Sequence, residues 1–310
     1  MWLFDFSEPE INTKKSTIPN KPIAIIIQNI NCVNLLLKTL DSIKDSYLSH
    51  SIDLILVNET DNNLNEILRF HKTIFREITI INKRRFDELD VEFNNSDSNY
   101  ILSINSGMIL SDRFLKKIAI YRESHHFSII FFPIYNNYDN KRYIFHQLFY
   151  SFCQACKCSL INKNLYSIND VDSSGFLIEK DLFVALSDNF NKNKIHQKFI
   201  MDSDLLIYDN NTKINLDTNH SSIIYIVLNF IYFVAIAQFL ASPSPLYLLI
   251  IIIKILPELY YKYAYYNRLR IKFPKIEFLV YSFFSPIYLA MILLSNLKLN
   301  RMNSDRRIFR

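Results

Sequence analysis

Asn99-Tyr100-Ile101-Leu102-Ser103-Ile104-Asn105-Ser106-Gly107-Met108-Ile109-Leu110-Ser111-Asp112-Arg113-Phe114-Leu115 is the stretch from which the fold of this 310-residue chain can be read. An apolar run bounded by polar residues gives a short buried strand that stops at Asn105. Asn105, Ser106 and Gly107 then make a tight polar corner. A helix is expected after Ser111, a hydroxyl side chain suited to an N-cap, with Asp112 in the first turn behind it. Such a corner lies at the carboxyl end of a strand, the edge at which open α/β sheets bind ligands. Gly107 is one of only 2 glycines in the chain, where ordinary composition would supply about twenty. The position is therefore expected to use a glycine's backbone freedom.

Upstream of this corner the pattern repeats. Ile23 to Ile27 is a β-branched run after Pro22, as a strand buried on both faces requires. Leu35, Leu36, Leu40 and Ile43 follow at helical spacing. Asp53 to Val57 reads as a second strand ending at Asn58, and Leu64, Ile67 and Leu68 open the next helix. Ile78 to Ile81 reads as a third strand, running into Asn82-Lys83-Arg84-Arg85. Strands alternating with helices mean βαβ units and a mostly parallel sheet. Downstream come an expected strand over Ser128 to Ile134, a polar turn from Asn136 to Asn140 and a helix over Tyr143 to Cys158. The second glycine, Gly175, follows in Val171 to Ile178, and then a helix over Glu179 to Leu186. Asp202 and Asp204 stand at the start of one more expected helix, near the positive end of its dipole.

The hydrophobic fraction of 50% is unevenly spread. Residues 1–20 read as an arm, 21–218 as a mixed α/β domain, and 219–310 as a membrane region of two to three apolar helices. Ser222 to Ala241 is long enough to cross hydrocarbon, with only Asn229 and Gln238 as polar interruptions. The Ser242-Pro243-Ser244-Pro245 link is short and makes an antiparallel hairpin with Leu246 to Tyr261, which contains Lys254, Pro257 and Glu258. Ile276 to Leu297, with Pro286 inside, is the third apolar segment. The net charge of +5 gathers in Lys262 to Lys275 and Lys298 to Arg310, beside apolar segments where basic residues meet anionic headgroups. Three spans would put these two basic stretches on opposite sides, so Leu246 to Tyr261 is the segment expected to lie in the interface instead. No nucleic-acid module accompanies the charge, so no nucleic-acid partner is expected.

Met1 to Phe6 is too short for the apolar core of a secretory leader, and none is expected. Of the 4 cysteines, Cys153, Cys156 and Cys158 cluster, with His146 seven residues before the first. These are zinc-type donors, but the second cysteine pair of a structural site is missing, and reduced thiols on a helix are the plainer reading.

With these corners in order, the chain resembles the membrane-anchored family 2 glycosyltransferases, whose catalytic domain has the GT-A fold. The resemblance covers Lys21 to about Asp217, and the Pro257-Glu258-Leu259-Tyr260-Tyr261 stretch with its basic connector is similar to bacterial members. It implies a GT-A nucleotide-diphospho-sugar transferase domain followed by transmembrane helices. The enzyme would be bound to the bacterial inner membrane with its catalytic domain in the cytoplasm. It would move a sugar, with inversion, from a UDP- or GDP-sugar to a lipid-linked or cell-envelope acceptor. The alternative is a GT-like membrane scaffold or binding protein that has lost catalysis.

The resemblance also assigns positions. The corner after the first strand falls on Asn29 to Asn31, and Asn31 is taken as substrate-binding. The acidic pair that holds uracil and ribose falls on Asn58. Lys83 stands where a basic residue meets the diphosphate. The Asp-x-Asp that binds Mg²⁺ or Mn²⁺ falls on Asn105, Ser106 and Gly107. No confident metal ligand follows, and only Asn105 stands at the motif position. Ser174 and Gly175 match the acceptor-side loop. Asp202 matches the general base and Asp204 a further acid. The Gln-x-x-Arg-Trp of processive members has no counterpart.

Overall fold

The computed structural model describes residues 22–30, 32–44, 52–58, 64, 68, 74–82, 97–124, 127–136, 144–162, 175–187, 197–209, 220–288 and 291. The chain divides into two compact units, one comprising Met1–Asn137 and Gln154–Asn211, the other Tyr138–Cys153 and Thr212–Arg310.

In the first unit, β1 (Ile23–Ile30), α1 (Val33–Lys44), β2 (Ile52–Asn58), β3 (Glu77–Asn82) and β4 (Tyr100–Asn105) follow in sequence. β1 to β4 are the parallel side of a seven-stranded sheet of order β3-β2-β1-β4-β8-β6-β9. The remaining strands are β6 (Ile129–Phe131), β8 (Phe176–Glu179) and β9 (Gln197–Phe199). β8 runs antiparallel to both β4 and β6, and β9 is parallel to β6. The sheet is therefore mixed, with a parallel half that carries the expected βαβ pattern. β2 is buried at every position, and Ile25, Ile26 and Ile27 of β1 have no exposure, as strands covered on both faces must.

Two strand expectations needed correction. The stretch after Asn105 does not pass directly into a helix: Met108–Leu110 forms β5, and α2 (Phe114–Ser124) begins only afterwards. β5 forms because β10 (Ile207–Asp209) supplies an antiparallel partner from about a hundred residues on, which local pattern cannot reveal. Ser111 does not cap that helix with its side chain. Its hydroxyl donates to the Asp204 carbonyl at 2.6 Å, and its own carbonyl accepts the Phe114 N–H at 2.9 Å. The run over Ser128 to Ile134 is likewise two strands. β6 ends before Phe132-Pro133, and β7 (Ile134–Asn136) joins β5 and β10 in a second, three-stranded sheet of order β5-β10-β7. Proline lacks the N–H a continuing ladder needs, so the break falls there. The helix expected at Asp202 is a single 3₁₀ turn, Ser203–Leu205, with Asp202 as its N-cap.

α3 (Ile144–Asn162) and α4 (Lys180–Ser187) match the expected helices. In the second unit lie α5 (His220–Ala241), α6 (Pro245–Arg268) and α7, a helix over 275–288. α5 and α6 pack together across the proline link. Ser244 caps α6 by accepting the Leu246 N–H at 3.3 Å, and Pro245 stands in the first turn, where its missing N–H has no partner to lose. The transmembrane expectation is not met: among the described residues no helix is long and apolar enough to cross a membrane. The side chains of 220–228 are outside that description.

The polarity of these helices is nevertheless inverted. Asn229, Tyr232, Glu258, Lys262, Ser282 and Ser285 are buried, while Phe230, Leu240, Leu246, Ile253, Ile276 and Phe283 are at least half exposed. Lys254 and Lys262 both pair with Glu258, the former at 2.8 Å. Lys254 also donates to Ser285 at 3.0 Å, and the Lys262 ammonium lies 3.8 Å from the Tyr281 ring centre.

Candidate active site

The chain order places the site. From β1 the chain moves to β2 and β3 on one side, then crosses back to lay β4 on the other side of β1. Connections leaving β1 and β4 in opposite directions open a crevice at their carboxyl ends, the switch point where α/β sheets take ligands. Four parallel strands end there, and the last residue of three of them is an asparagine: Asn82 in β3, Asn58 in β2 and Asn105 in β4. β1 ends in Gln28-Asn29-Ile30.

Local geometry holds this edge. The register of β1 shifts between Ile27 and Ile30, so that Gln28 faces Asn105 and Ile30 faces Asn58. Asn29 takes the left-handed conformation within this bulge, at φ 54°, which asparagine tolerates better than most residues. The bulge turns its amide across the crevice, where it donates to Asn105 Oδ1 at 2.9 Å.

Beyond Asn105 the corner is held by backbone donors. The Ser106 N–H donates to the Gln28 carbonyl at 2.8 Å and the Gly107 N–H to Thr39 Oγ1 of α1 at 2.9 Å. Gly107 sits at φ 96°, a conformation costly for any side chain with a Cβ, so the turn itself calls for glycine. The Ser106 side chain is buried.

Gly175 has a separate reason to be glycine. At φ 78°, a Cβ there would lie 2.7 Å from Ile134 Cδ1. Its N–H donates to the Ser103 carbonyl at 2.7 Å, and its carbonyl accepts from Phe132 at 3.0 Å. It ties β4 to the segment that leaves β6 for β7.

Asp202 and Asp204 form a second polar centre. Asp202 caps its turn by accepting the Asp204 N–H at 2.9 Å. Lys117 of α2 closes onto both carboxylates, at 3.0 Å from Asp204. Burial opposes the charge on Lys117, yet the two carboxylates outweigh it and raise its pKa above the ordinary lysine value. The turn connects to the crevice through β5 and β10, whose register sets Asp209 opposite Met108, next to Gly107. Met108 Sδ in turn accepts the Asn105 N–H at 3.3 Å. Asp209 and Lys117 escaped the sequence reading. The apolar Met108-Ile109-Leu110 run was the available signal that the chain pairs again after the corner.

Of the expected site residues, Asn58, Asn105, Ser106 and Gly107 gather at the crevice edge. Gly175 stands behind it, and Asp202 and Asp204 lie at the far end of β5. Asn31, Lys83 and Ser174 fall outside the described residues.

The donor set at the corner does not fit the Mg²⁺ or Mn²⁺ that the resemblance implies. Hard cations take anionic oxygens, usually one or two carboxylates beside the phosphates. Here one neutral amide, a buried hydroxyl and a glycine occupy those positions. Among the described residues no group of three His, Cys, Asp or Glu is placed to hold a metal. Of the zinc-type donors in α3, Cys153 is exposed and Cys158 buried. Burial pushes His146 down to about 4, so it is neutral at pH 7.

No protein-family model matches the chain, and no curated protein matches it. Among solved structures, it is similar to Staphylococcus aureus TarS 1–349 in complex with UDP-GlcNAc, at 10% identity and TM-score 0.43, covering 68% of this chain and 65% of that one. The match thus spans less than two thirds of that relative. A mannosyltransferase from Pyrobaculum calidifontis in complex with GDP-Man and Mn²⁺ matches at 11% identity and TM-score 0.42, over 89% of this chain and 87% of that one. Glucosyl-3-phosphoglycerate synthase from Mycobacterium tuberculosis in complex with Mn²⁺, UDP and glucosyl-3-phosphoglycerate matches at 10% identity and TM-score 0.38, over 67% and 78%. None of these likenesses is close enough to assign this chain an activity.

Proposed function

We propose that this chain is a membrane-bound, GT-A-type glycosyltransferase that holds a UDP- or GDP-sugar in the β1–β4 crevice. The observation that carries the reading is the Asn29–Asn105 hydrogen bond across the switch point, with Asn58 one strand over. A row of carboxamides offers paired donors and acceptors to a base, a ribose or phosphate oxygens. Lys83, which follows Asn82 in sequence, is the residue proposed to meet the diphosphate, and Ser174 and Gly175 border the acceptor side.

In the proposed reaction an acceptor hydroxyl attacks the anomeric carbon. The new C–O bond forms as the bond to the diphosphate breaks, the nucleoside diphosphate leaves with the electron pair, and the hydroxyl proton passes to Asp202. A base must bring a carboxylate oxygen within hydrogen-bond reach of that hydroxyl, so Lys117 has to release Asp202 as the acceptor enters.

The inverted polarity of α5, α6 and α7 supports a location at the membrane; a cytoplasmic catalytic domain and a lipid-linked or cell-envelope acceptor are the proposal's further parts. Leucine, isoleucine and phenylalanine outside, with asparagine, lysine, glutamate and serine inside, reverses the arrangement that water selects.

A second reading, a GT-like membrane scaffold that binds without turnover, is favoured by one observation: Lys117 already closes on Asp202. Membranes carrying the chain, given radiolabelled UDP- and GDP-sugars, separate the two. Transfer should appear with the native chain and fall by about a hundredfold or more in Asp202→Asn, the size of effect a positioned general base gives. Equal transfer by both proteins would remove Asp202 from the reaction, and no transfer by either would leave the scaffold.

A further inference from the structure

We infer that the β1–β4 crevice takes its nucleoside diphosphate without a divalent cation. The inference rests on the nucleotide-sugar reading above and goes beyond it, because the donor set departs from what that reading would ordinarily require. Three neighbouring parallel strands end at this edge in Asn58, Gln28-Asn29 and Asn105, set side by side by register. Each brings a carboxamide. None of the described residues at these strand ends is a carboxylate. Gly107 has no side chain to offer a cation, and its φ of 96° disfavours an aspartate there. Ser106 is buried.

One described acid comes near by register: Asp209, opposite Met108 and beside the corner. Among the described residues, one carboxylate with neutral amides leaves a hard cation short of the anionic oxygens that offset its dehydration. Carboxamides suit the opposite task. Their N–H groups donate to phosphate oxygens and to the carbonyls of a base, and their oxygens accept from ribose hydroxyls, with no cation between.

Asn105→Asp provides a matched reversal. It is isosteric, the Asn29 amide keeps an oxygen to donate to, and the new carboxylate joins Asp209 beside the same turn. The test is equilibrium binding of UDP and of GDP to the full chain in detergent, with excess EDTA and separately with excess MnCl₂. Native protein should bind at least one nucleotide with a dissociation constant that changes less than about twofold between the two conditions. Asn105→Asp should bind at least about tenfold tighter with Mn²⁺ than with EDTA. Native binding that requires Mn²⁺ overturns the inference and leaves the nucleotide-sugar reading standing. No binding of either nucleotide under either condition overturns both. An Asn105→Asp protein indifferent to Mn²⁺ also counts against the inference, because the corner would then not be where a cation acts. The native comparison decides the matter alone if the variant fails to fold.

Discussion

Asp53, the second residue of the apolar β2, is only 3% exposed, and its carboxylate is matched from two directions. Arg76 donates to both of its oxygens, at 2.6 and 2.5 Å, and Ser98 adds a bond at 3.1 Å. The guanidinium is raised in pKa chiefly by that hydrogen bonding and also pairs with Asp97 at 3.1 Å. Arg76 precedes β3 and Ser98 precedes β4, so one buried acid fastens the amino ends of three strands at the edge opposite the crevice. Asp53→Asn removes the charge and one acceptor while keeping the shape. It should cost about 2–3 kcal/mol of stability, measured as a loss of denaturant midpoint with unchanged slope, and should leave nucleotide binding alone. This cluster was not legible in the sequence, because Asp53 and Arg76 are 23 residues apart and neither stands in a motif. The crevice residues were legible for the converse reason: Asn58 and Asn105 each end an apolar run, and a polar residue at that point marks a strand's carboxyl end.

The same contrast separates the elements. β1 to β4 announce themselves by continuous β-branched runs, since a central parallel strand is buried on both faces and carries its own signature. β5, β7 and β10 are three residues each and exist only because they pair with one another. A segment that short has no period to read. The tail helices show a further limit. Their apolar character is plain in the sequence, but the arrangement of Lys254, Glu258 and Lys262 on one inward stripe follows from the i, i+4 spacing only once the buried face is known. Glu258 lies between two ammonium groups, with Lys262 fully buried against aromatic rings. Removing the shared acid while leaving both cations should be severe. Glu258→Gln is expected to destabilise the second unit by about 3–5 kcal/mol, seen as a lower melting temperature in detergent, whereas exchange of an outward residue such as Ile253→Leu should change it little.

The whole chain combines an open, partly parallel α/β sheet with a crevice edge that carries amides at Asn29, Asn58 and Asn105. Fold and site location depend on strand order and on where apolar runs stop, and neither depends on which polar residues stand at the strand ends. The chemistry depends on a few side chains: Asn105 and Gly107 bring no carboxylate to the corner, and Asp202 is tied to Lys117. The sheet also offers a built-in control. A polar surface pocket lined by Asp97, Ser98, Asn99, Tyr100, Glu179, Lys180 and Asp181 lies at the amino end of β4, the edge away from the crevice. Amide hydrogen exchange of the full chain in detergent, with and without saturating UDP or GDP, therefore tests the central claim most directly. Binding in the crevice predicts slowed exchange in the peptides that contain Gln28 to Ile30, Asn58 and Asn105 to Met108, and none around Asp97 to Asn99. Protection confined to the Asp97 edge, or absent from the crevice with both nucleotides, would contradict it.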